Sequence, residues 1–503
     1  MIRGPELRRY DQIALAPILF ATSNIAKFLQ ARLMLGSMGF RVERFEAHAR
    51  AYHEPYGLPT KEFLGSGLRE VVSRAGARRL VFIEDTTVRI DALSLNGDDF
   101  PGQATKEWFT ASSHAELIDA INEVGGDLRV SVRSDIALYV PGHSEFLLFS
   151  GVTPGKLALM PDKGEDRLLY PWLGRDDFNS WFIPDGASKT LASMSFEESK
   201  SYDFRIKAFS ALAARLAEYE RILQLPGDSL RKPGYPSAPD QFALIPGGDP
   251  DIIVAIIGPL AAGKTTAGHH LAMNREFRHI EGSRVLSQVA ETFGITAVDH
   301  FGLADKTFSE HGFDAVEREA LEPVVANYAG SIVYTGARTI EGLANLREIS
   351  TQRGRRLAIV YVSSPLSTRT VRAIERGRAD LAKGGASKFV ESSRRDASYG
   401  ATTYGPMICD WHVRNDTDIT KFLSKIDDAV ASFEMGRKRN ISASGRRLLN
   451  ALLDIKREGY SGSGWLQSVH PDLLIHHDDE DRSVELNSRG HALLELLMRH
   501  GDS

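Results

Sequence analysis

The stretch IIVAIIGPLAAGKT, residues 252–265, decides the fold of the second half of this 503-residue chain. Six apolar residues, Ile252 to Ile257, read as a strand buried on both faces. They run into Gly258-Pro259-Leu260-Ala261-Ala262-Gly263-Lys264-Thr265, which satisfies GxxxxGK[ST] in full. The glycines let the backbone curl so that its amides point inward, and a helix opening at Lys264 brings its positive end to the same place. Such a loop suits the phosphates of ATP. Gly258, Ala262 and Gly263 offer backbone, Lys264 reaches the β and γ oxygens, and Thr265, followed by Thr266, supplies a hydroxyl to Mg²⁺. Further strands are expected at 331–334 and 357–363 with helices between them. That alternation gives an α/β domain with a parallel sheet covered on both faces.

Outward from this loop, composition limits the alternatives. Hydrophobic residues make 42% and charged residues 25% of the chain, which excludes wholesale disorder. Lys and Arg number 61 against 66 Asp and Glu, a net charge of −5 that argues against nucleic acid as a partner. One cysteine, Cys409, excludes an internal disulfide or a CxxC zinc site. The longest apolar run, Ile13 to Ala21, is too short to cross a bilayer and lacks a cleavage pattern, so a soluble cytoplasmic protein without a membrane partner is expected. Between Pro226 and Pro250 stand six prolines and four glycines, the composition of an extended linker. A second, basic and polar seam lies at 436–444. The expected domains are therefore 1–225, 251–436 and a small module at 437–503, with 226–250 as linker.

Several segments after the phosphate loop narrow its class. Thr335-Gly336-Ala337-Arg338 ends a strand, and Arg369, Arg372, Arg376 and Arg378 crowd into TRTVRAIERGRAD. KFVESSRRDASYG and CDWHVRN follow, with Cys409 in an expected closing strand. From about 251 to 430 the pattern resembles the small P-loop kinases, notably the dephospho-CoA kinase-like and adenylate kinase-like nucleotide kinases. The resemblance implies transfer of a phosphoryl group from ATP to a nucleotide-type acceptor. Arg372 and Arg376 would then neutralise charge on the transferring group, Arg376 in a catalytic role beside Lys264. One element departs from the pattern. Glu281-Gly282-Ser283-Arg284 stands where such families often have Gly-Asp, and no acid ends the 332–335 strand. The carboxylate is left open between the Ser283 position and Asp299.

The first half alternates strand-like and helix-like pieces. PILFAT at 17–22 is strand-like and 24–38 has helical spacing; LVFIED at 80–85 is a second buried strand, and 129–140 with 145–152 suggests a hairpin. Thr22, Asn24 and Lys27 follow the first strand and open the helix, which suits a polyphosphate. In order come Ile83-Glu84-Asp85-Thr86, Asp91-Ala92-Leu93, Pro101-Gly102, Trp181 to Gly186, Lys189-Thr190, Met194 and Arg205 to Ala208. From Ile18 to Leu216 this order resembles the inosine triphosphate pyrophosphatase family, which implies a mixed-sheet domain hydrolysing non-canonical purine nucleoside triphosphates with Mg²⁺. By that resemblance Thr22, Asn24 and Lys27 hold phosphate, and Arg205, matching the arginine of the family's Ser-His-Arg signature, is a further binding residue. Asp85 binds the metal and helps activate water, and Glu54 is the second metal-binding acid. Four elements depart from the family pattern. Gln30 replaces a Glu, Asn179 an Asp, Asp203-Phe204 a Ser-His, and Ser193 a Glu. The phosphate end is retained and the base end remodelled.

Residues 445–503 read as helix, hairpin and helix, winged-helix-like, without a basic stripe, which suits a protein partner better than DNA. The acidic run after His476 and His477 reads as a solvated turn rather than a metal site. A homodimer is left open. Two functions fit the whole. One is a bifunctional enzyme, a pyrophosphohydrolase joined to an ATP-dependent kinase. The other is a sensor that binds an unusual (d)NTP and ATP, suited to antiviral defence.

Overall fold

The computed structural model describes residues 17–45, 57–76, 79–95, 98–143, 145–162, 169–174, 177–223, 251–328, 330–375, 385–416, 418–437, 442–458, 469–476 and 484–501. The expected linker 226–250, the acidic run 477–483, Glu54 and Arg376 lie outside the described residues. The chain divides into two compact units, Met1–Pro233 and Gly234–Ser503.

The first unit is built on a mixed sheet. Its strands run Val42–Phe45, Ile18–Ala21, Val81–Ile90, Arg129–Tyr139, Leu147–Leu157 and Phe182–Pro184, with Pro101–Gly102 beside Val81–Ile90. The first three are parallel and the rest antiparallel. Alternation along each strand feeds two cores. Phe20 and Phe82 stack at 4.3 Å on one face, near Phe209 of the Phe204–Leu223 helix. Leu19, Ala21, Val81 and Ile83 pack on the other face against Phe63, Leu64 and Leu68 of the Thr60–Ala75 helix. The expected 80–85 strand is longer than the apolar run, because Val88 and Ile90 are also buried and residues 81–90 all pair with 130–139.

In the second unit five parallel strands lie in the order Trp411–Arg414, Arg356–Ser363, Ile252–Ile257, Ile332–Thr335, Arg278–Glu281. The central strand is fully buried: Ile253, Ala255 and Ile257 enter one core, Ile252, Val254 and Ile256 the other. This is the continuous apolar strand that a doubly covered parallel sheet requires. The Gly258–Gly263 loop leaves its carboxyl end, where open α/β sheets place their ligands.

Two expectations change here. Cys409 is not in a strand. It caps the Ala401–Ile408 helix, and the closing strand begins at Trp411. Residues 443–501 do follow the order helix, hairpin, helix, but their apolar side chains do not form a core of their own. Leu448, Leu452, Leu473, Leu486, Leu493 and Leu497 join Ile253, Tyr334 and Leu343 in one cluster. A segment this short cannot bury enough surface alone, and sharing the larger core removes the difficulty. No helix among the described residues is long and apolar enough to cross a membrane.

Candidate active sites

In the first unit two of the candidate binding residues, Lys27 and Arg205, meet on an acid that motif reading passed over. Glu84 is 3% exposed, and a carboxylate so placed needs cations or hydrogen bonds to stay ionised. It has both. Lys27 Nζ lies 2.9 Å from Oε2 and Arg205 Nε 3.4 Å from Oε1. Ser134 and Thr86 hydroxyls donate to Oε1 at 2.7 and 2.9 Å. Burial alone would raise the Glu84 carboxyl, but the charges of Lys27 and Arg205 and the Lys27 and Ser134 hydrogen bonds outweigh it and hold it at about 2. Two cations on one carboxylate leave a net positive charge, which an anionic ligand can balance. Arg205 also donates to the Thr86 hydroxyl at 3.0 Å. Residues 27, 84, 134 and 205 come from two helices and two strands, so no short motif contains the cluster.

Asp85, the expected metal ligand, takes the opposite face of its strand, because successive side chains alternate. It pairs across the ladder with Asp135. Asp135 is buried and engaged by Arg133 at 2.7 Å and by the Ser150 hydroxyl at 2.5 Å. The Ile18–Ala21 strand pairs with Val81–Ile90 only at 81 and 82. Residues 84–87 therefore pass beyond that strand's carboxyl end, where Thr22 begins the loop. Asn24 has a structural task as well: its Oδ1 accepts from the amides of Ala26 and Lys27 at 2.9 and 3.2 Å, capping the Ile25–Ser37 helix. The Thr22 hydroxyl accepts from the Asn24 amide at 3.1 Å.

The departures at the base end are filled rather than vacant. Asn179 is buried and donates to the Trp172 carbonyl at 2.9 Å. Trp181, also buried, meets Trp108, Phe109, His114 and Phe178. Ser193 shares a hydrogen bond with Thr190 at 2.7 Å.

In the second unit the 258–263 loop is wrapped as its glycines suggest. Gly258 (φ +135°) and Gly263 (φ +106°) are left-handed, and a Cβ on them would come within 2.1 Å of the Val362 carbonyl and 2.4 Å of Asn415 Nδ2. Asn415 steadies the loop from the closing strand, donating to the Ala262 carbonyl at 2.8 Å and accepting from Arg372 at 3.3 Å. Lys264 Nζ donates to the carbonyls of Gly258 and Pro259 at 2.6 and 2.8 Å, so it already spans the loop it would serve. Thr266 stands in the first helical turn behind it.

A cleft opens beside the loop, lined by Lys264, Thr265, Glu281, Ser283, Arg338 and Asp396 among others. Of the acids near this loop, Glu281 lines the cleft beside Thr265. It ends the Arg278–Glu281 strand in register with Thr335, and its Oε1 accepts from the Thr265 hydroxyl at 3.3 Å. Asp299 does not line the cleft. It is exposed and caps the His300–His311 helix, accepting from the Gly302 amide at 2.6 Å. Glu281 thus stands at the end of the strand next to Ile332–Thr335, whose own end carries no acid. Arg338 lies over the rings of Phe301 and Tyr399 at 5.1 and 5.9 Å and 4.0 Å from Asp396. Arg369, first of the arginines crowded into 368–380, is buried and donates to the carbonyls of Leu260 and Ser364, so it braces the loop. Among the described residues no group of three or more His, Cys, Asp or Glu is gathered to hold a metal.

Residues 18–215 match the Ham1 family. A dITP/XTP pyrophosphatase of Methanopyrus kandleri is 28% identical over 196 residues, 39% of this chain and 94% of the relative. Another, from Hyperthermus butylicus, is 29% identical over 208 residues, 40% of this chain and 95% of the relative. Among solved structures, the Staphylococcus aureus Ham1 protein shares 18% identity over 40% of this chain and 99% of its own, with a TM-score of 0.33. Shikimate kinase from Acinetobacter baumannii shares 17% over 38% and 96%, with a TM-score of 0.26. The match to the Ham1 family, that of the inosine triphosphate pyrophosphatases, thus covers residues 18–215, and with them Lys27, Glu84, Asp85 and Arg205.

Proposed function

We propose that the first unit is a pyrophosphohydrolase acting on non-canonical purine nucleoside triphosphates of the dITP and XTP kind, releasing monophosphate and pyrophosphate. The observation that carries this reading is the net-positive cluster of Lys27, Arg205 and Glu84. Its two cations, delivered by two helices, suit a polyphosphate, and the relatives' activity supports the base class. Lys27 and Arg205 would bind and orient the polyphosphate from one face of the strand. Mg²⁺ is commonly held by one or two carboxylates with the substrate's own phosphates, and Asp85, carried past the neighbouring strand end, fits that donor set. Asp85 and Glu54 would hold it, and when bound it would neutralise phosphate charge. Asp85 would also orient the attacking water and accept its proton.

For the second unit we infer an ATP-dependent kinase acting on a nucleotide-type acceptor. The hydrogen bond between Thr265 and Glu281 favours this over a bare nucleotide-binding module. It puts a carboxylate where it can orient an acceptor hydroxyl or share in holding Mg²⁺. Lys264→Ala removes the charge-assisted contacts to the β and γ phosphates, so ATP affinity falls roughly 10- to 100-fold in calorimetry with Mg²⁺. Glu281→Gln leaves ATP affinity within a few-fold but suppresses ADP formation with a nucleoside monophosphate panel. Undiminished ADP formation by Glu281→Gln would sink the role given to that carboxylate.

A further inference from the structure

Two of the residues that depart from the family pattern, Gln30 and Asp203, are 173 positions apart and touch. Gln30 Nε2 donates to Asp203 Oδ2 at 2.7 Å, and the residues are 0% and 2% exposed. Gln30 stands one helical turn after Lys27 on the Ile25–Ser37 helix. The other Asp203 oxygen accepts from the amides of Arg205 and Ile206 at 2.8 and 3.1 Å, capping the helix that delivers Arg205. The bond therefore joins the two helices whose cations meet on Glu84.

We propose that Gln30 and Asp203 form a directional latch that positions Lys27 and Arg205 on Glu84, and that the two substitutions are a matched exchange rather than decay of the site. The direction is set by donor and acceptor inventory. Burial pushes the Asp203 carboxyl up, while the Arg205 charge and the hydrogen bonds from Ile206, Arg205 and Gln30 oppose that rise. The oxygen facing Gln30 acts as an acceptor, so Gln30 must donate and turns its amide nitrogen inward. Among the described residues Gln30 Oε1 is buried without a hydrogen-bond partner, and Asp203 is the group that orients that amide. Gln30 and Asp203 are positioning residues: neither is asked to touch substrate.

The inference rests on the pyrophosphohydrolase reading, and a four-member cycle of near-isosteric variants tests it. Gln30→Glu sets two carboxylates against each other at a buried contact and is expected to lower kcat/KM for dITP by roughly 10²-fold, mainly through KM, since the displaced cations hold the polyphosphate. Asp203→Asn keeps the helix cap through Oδ1, and Gln30 can turn its oxygen to the new amide, so this variant loses only about threefold. Gln30→Glu combined with Asp203→Asn restores a donor opposite an acceptor and recovers at least about tenfold of the loss. All four are compared below their melting temperatures, with folded fraction checked by circular dichroism. An equal penalty for Gln30→Glu in both backgrounds, or no penalty, overturns the latch. Should the unmodified protein hydrolyse neither dITP nor XTP, the pyrophosphohydrolase reading fails separately. The latch is then judged by amide hydrogen exchange at 24–28 and 203–207. Exchange there must accelerate in Gln30→Glu and slow again in the double variant, and uniform exchange across the cycle overturns it.

Discussion

Glu84→Gln is expected to cost the first unit about 3 kcal/mol and to remove most triphosphate binding, because it leaves the half-buried Lys27 and Arg205 against each other without their shared anion. The loss has a pH signature in the unmodified protein. The Glu84 carboxyl is held at about 2 against an ordinary 4.5, so its ionised form is favoured by folding. That contribution is complete above pH 4.5 and disappears as the pH falls toward 2. It is worth about 3 kcal/mol, and the side chain has no exposure through which solvent could screen it. Hydrogen exchange of the 81–90 and 130–139 amides, followed from pH 5 downward, measures it. The Glu84→Gln protein should be weaker at neutral pH and flatter toward acid. An unchanged acid limb would show that Glu84 is not the group responsible.

The second large effect has the opposite sign and lies in the second unit. Glu317 is 2% exposed, in a five-residue π-turn at Glu317–Leu321, and the Tyr334 hydroxyl donates to its Oε1 at 2.9 Å. Burial pushes its carboxyl up to about 7, the Tyr334 bond opposes that rise, and Asp314 and Glu341 nearby add to it. A raised carboxyl is bound to its proton more tightly in the folded state. Stability is therefore full below pH 4.5 and declines as the pH rises to about 7, by about 3 kcal/mol. Glu317→Gln keeps an acceptor for Tyr334 and abolishes the titration. Near pH 8 the variant should exceed the unmodified protein by up to that amount, and at pH 4 the two should match. Exchange of the 252–257 and 332–335 amides reads this unit by itself. A variant less stable at pH 8 would mean that the ionised carboxylate has a compensating partner.

Much of this was legible in residue order. The 252–265 stretch specified strand, loop and helix because each local choice agrees with the next: apolar residues to be buried, glycines where φ is positive, and Lys264 where a helix starts. LVFIED was legible as a buried strand, but not which of its two acids faces the cations. Alternation allows only one, and because Phe82 shares its face with the Phe204–Leu223 helix that carries Arg205, that acid is Glu84. Glu281 was hidden for a different reason. Which strand ends beside the phosphate loop is a matter of sheet order, and the order 411, 356, 252, 332, 278 is not sequential. The tail's helices were readable, but not that their leucines enter a core already begun by Ile253 and Tyr334. Gln30 and Asp203 each read as a lost functional group, since a contact across 173 positions leaves no periodic trace.

Turnover in the first unit is measured most directly as pyrophosphate release from dITP and XTP, with Mg²⁺, by the purified full chain and by its Asp85→Asn variant. The unmodified protein should release pyrophosphate, with dATP and dGTP poor substrates, and kcat should fall about 10²-fold or more in the variant at unchanged folding. Tight binding of dITP without pyrophosphate, or release that Asp85→Asn leaves intact, would contradict the pyrophosphohydrolase reading.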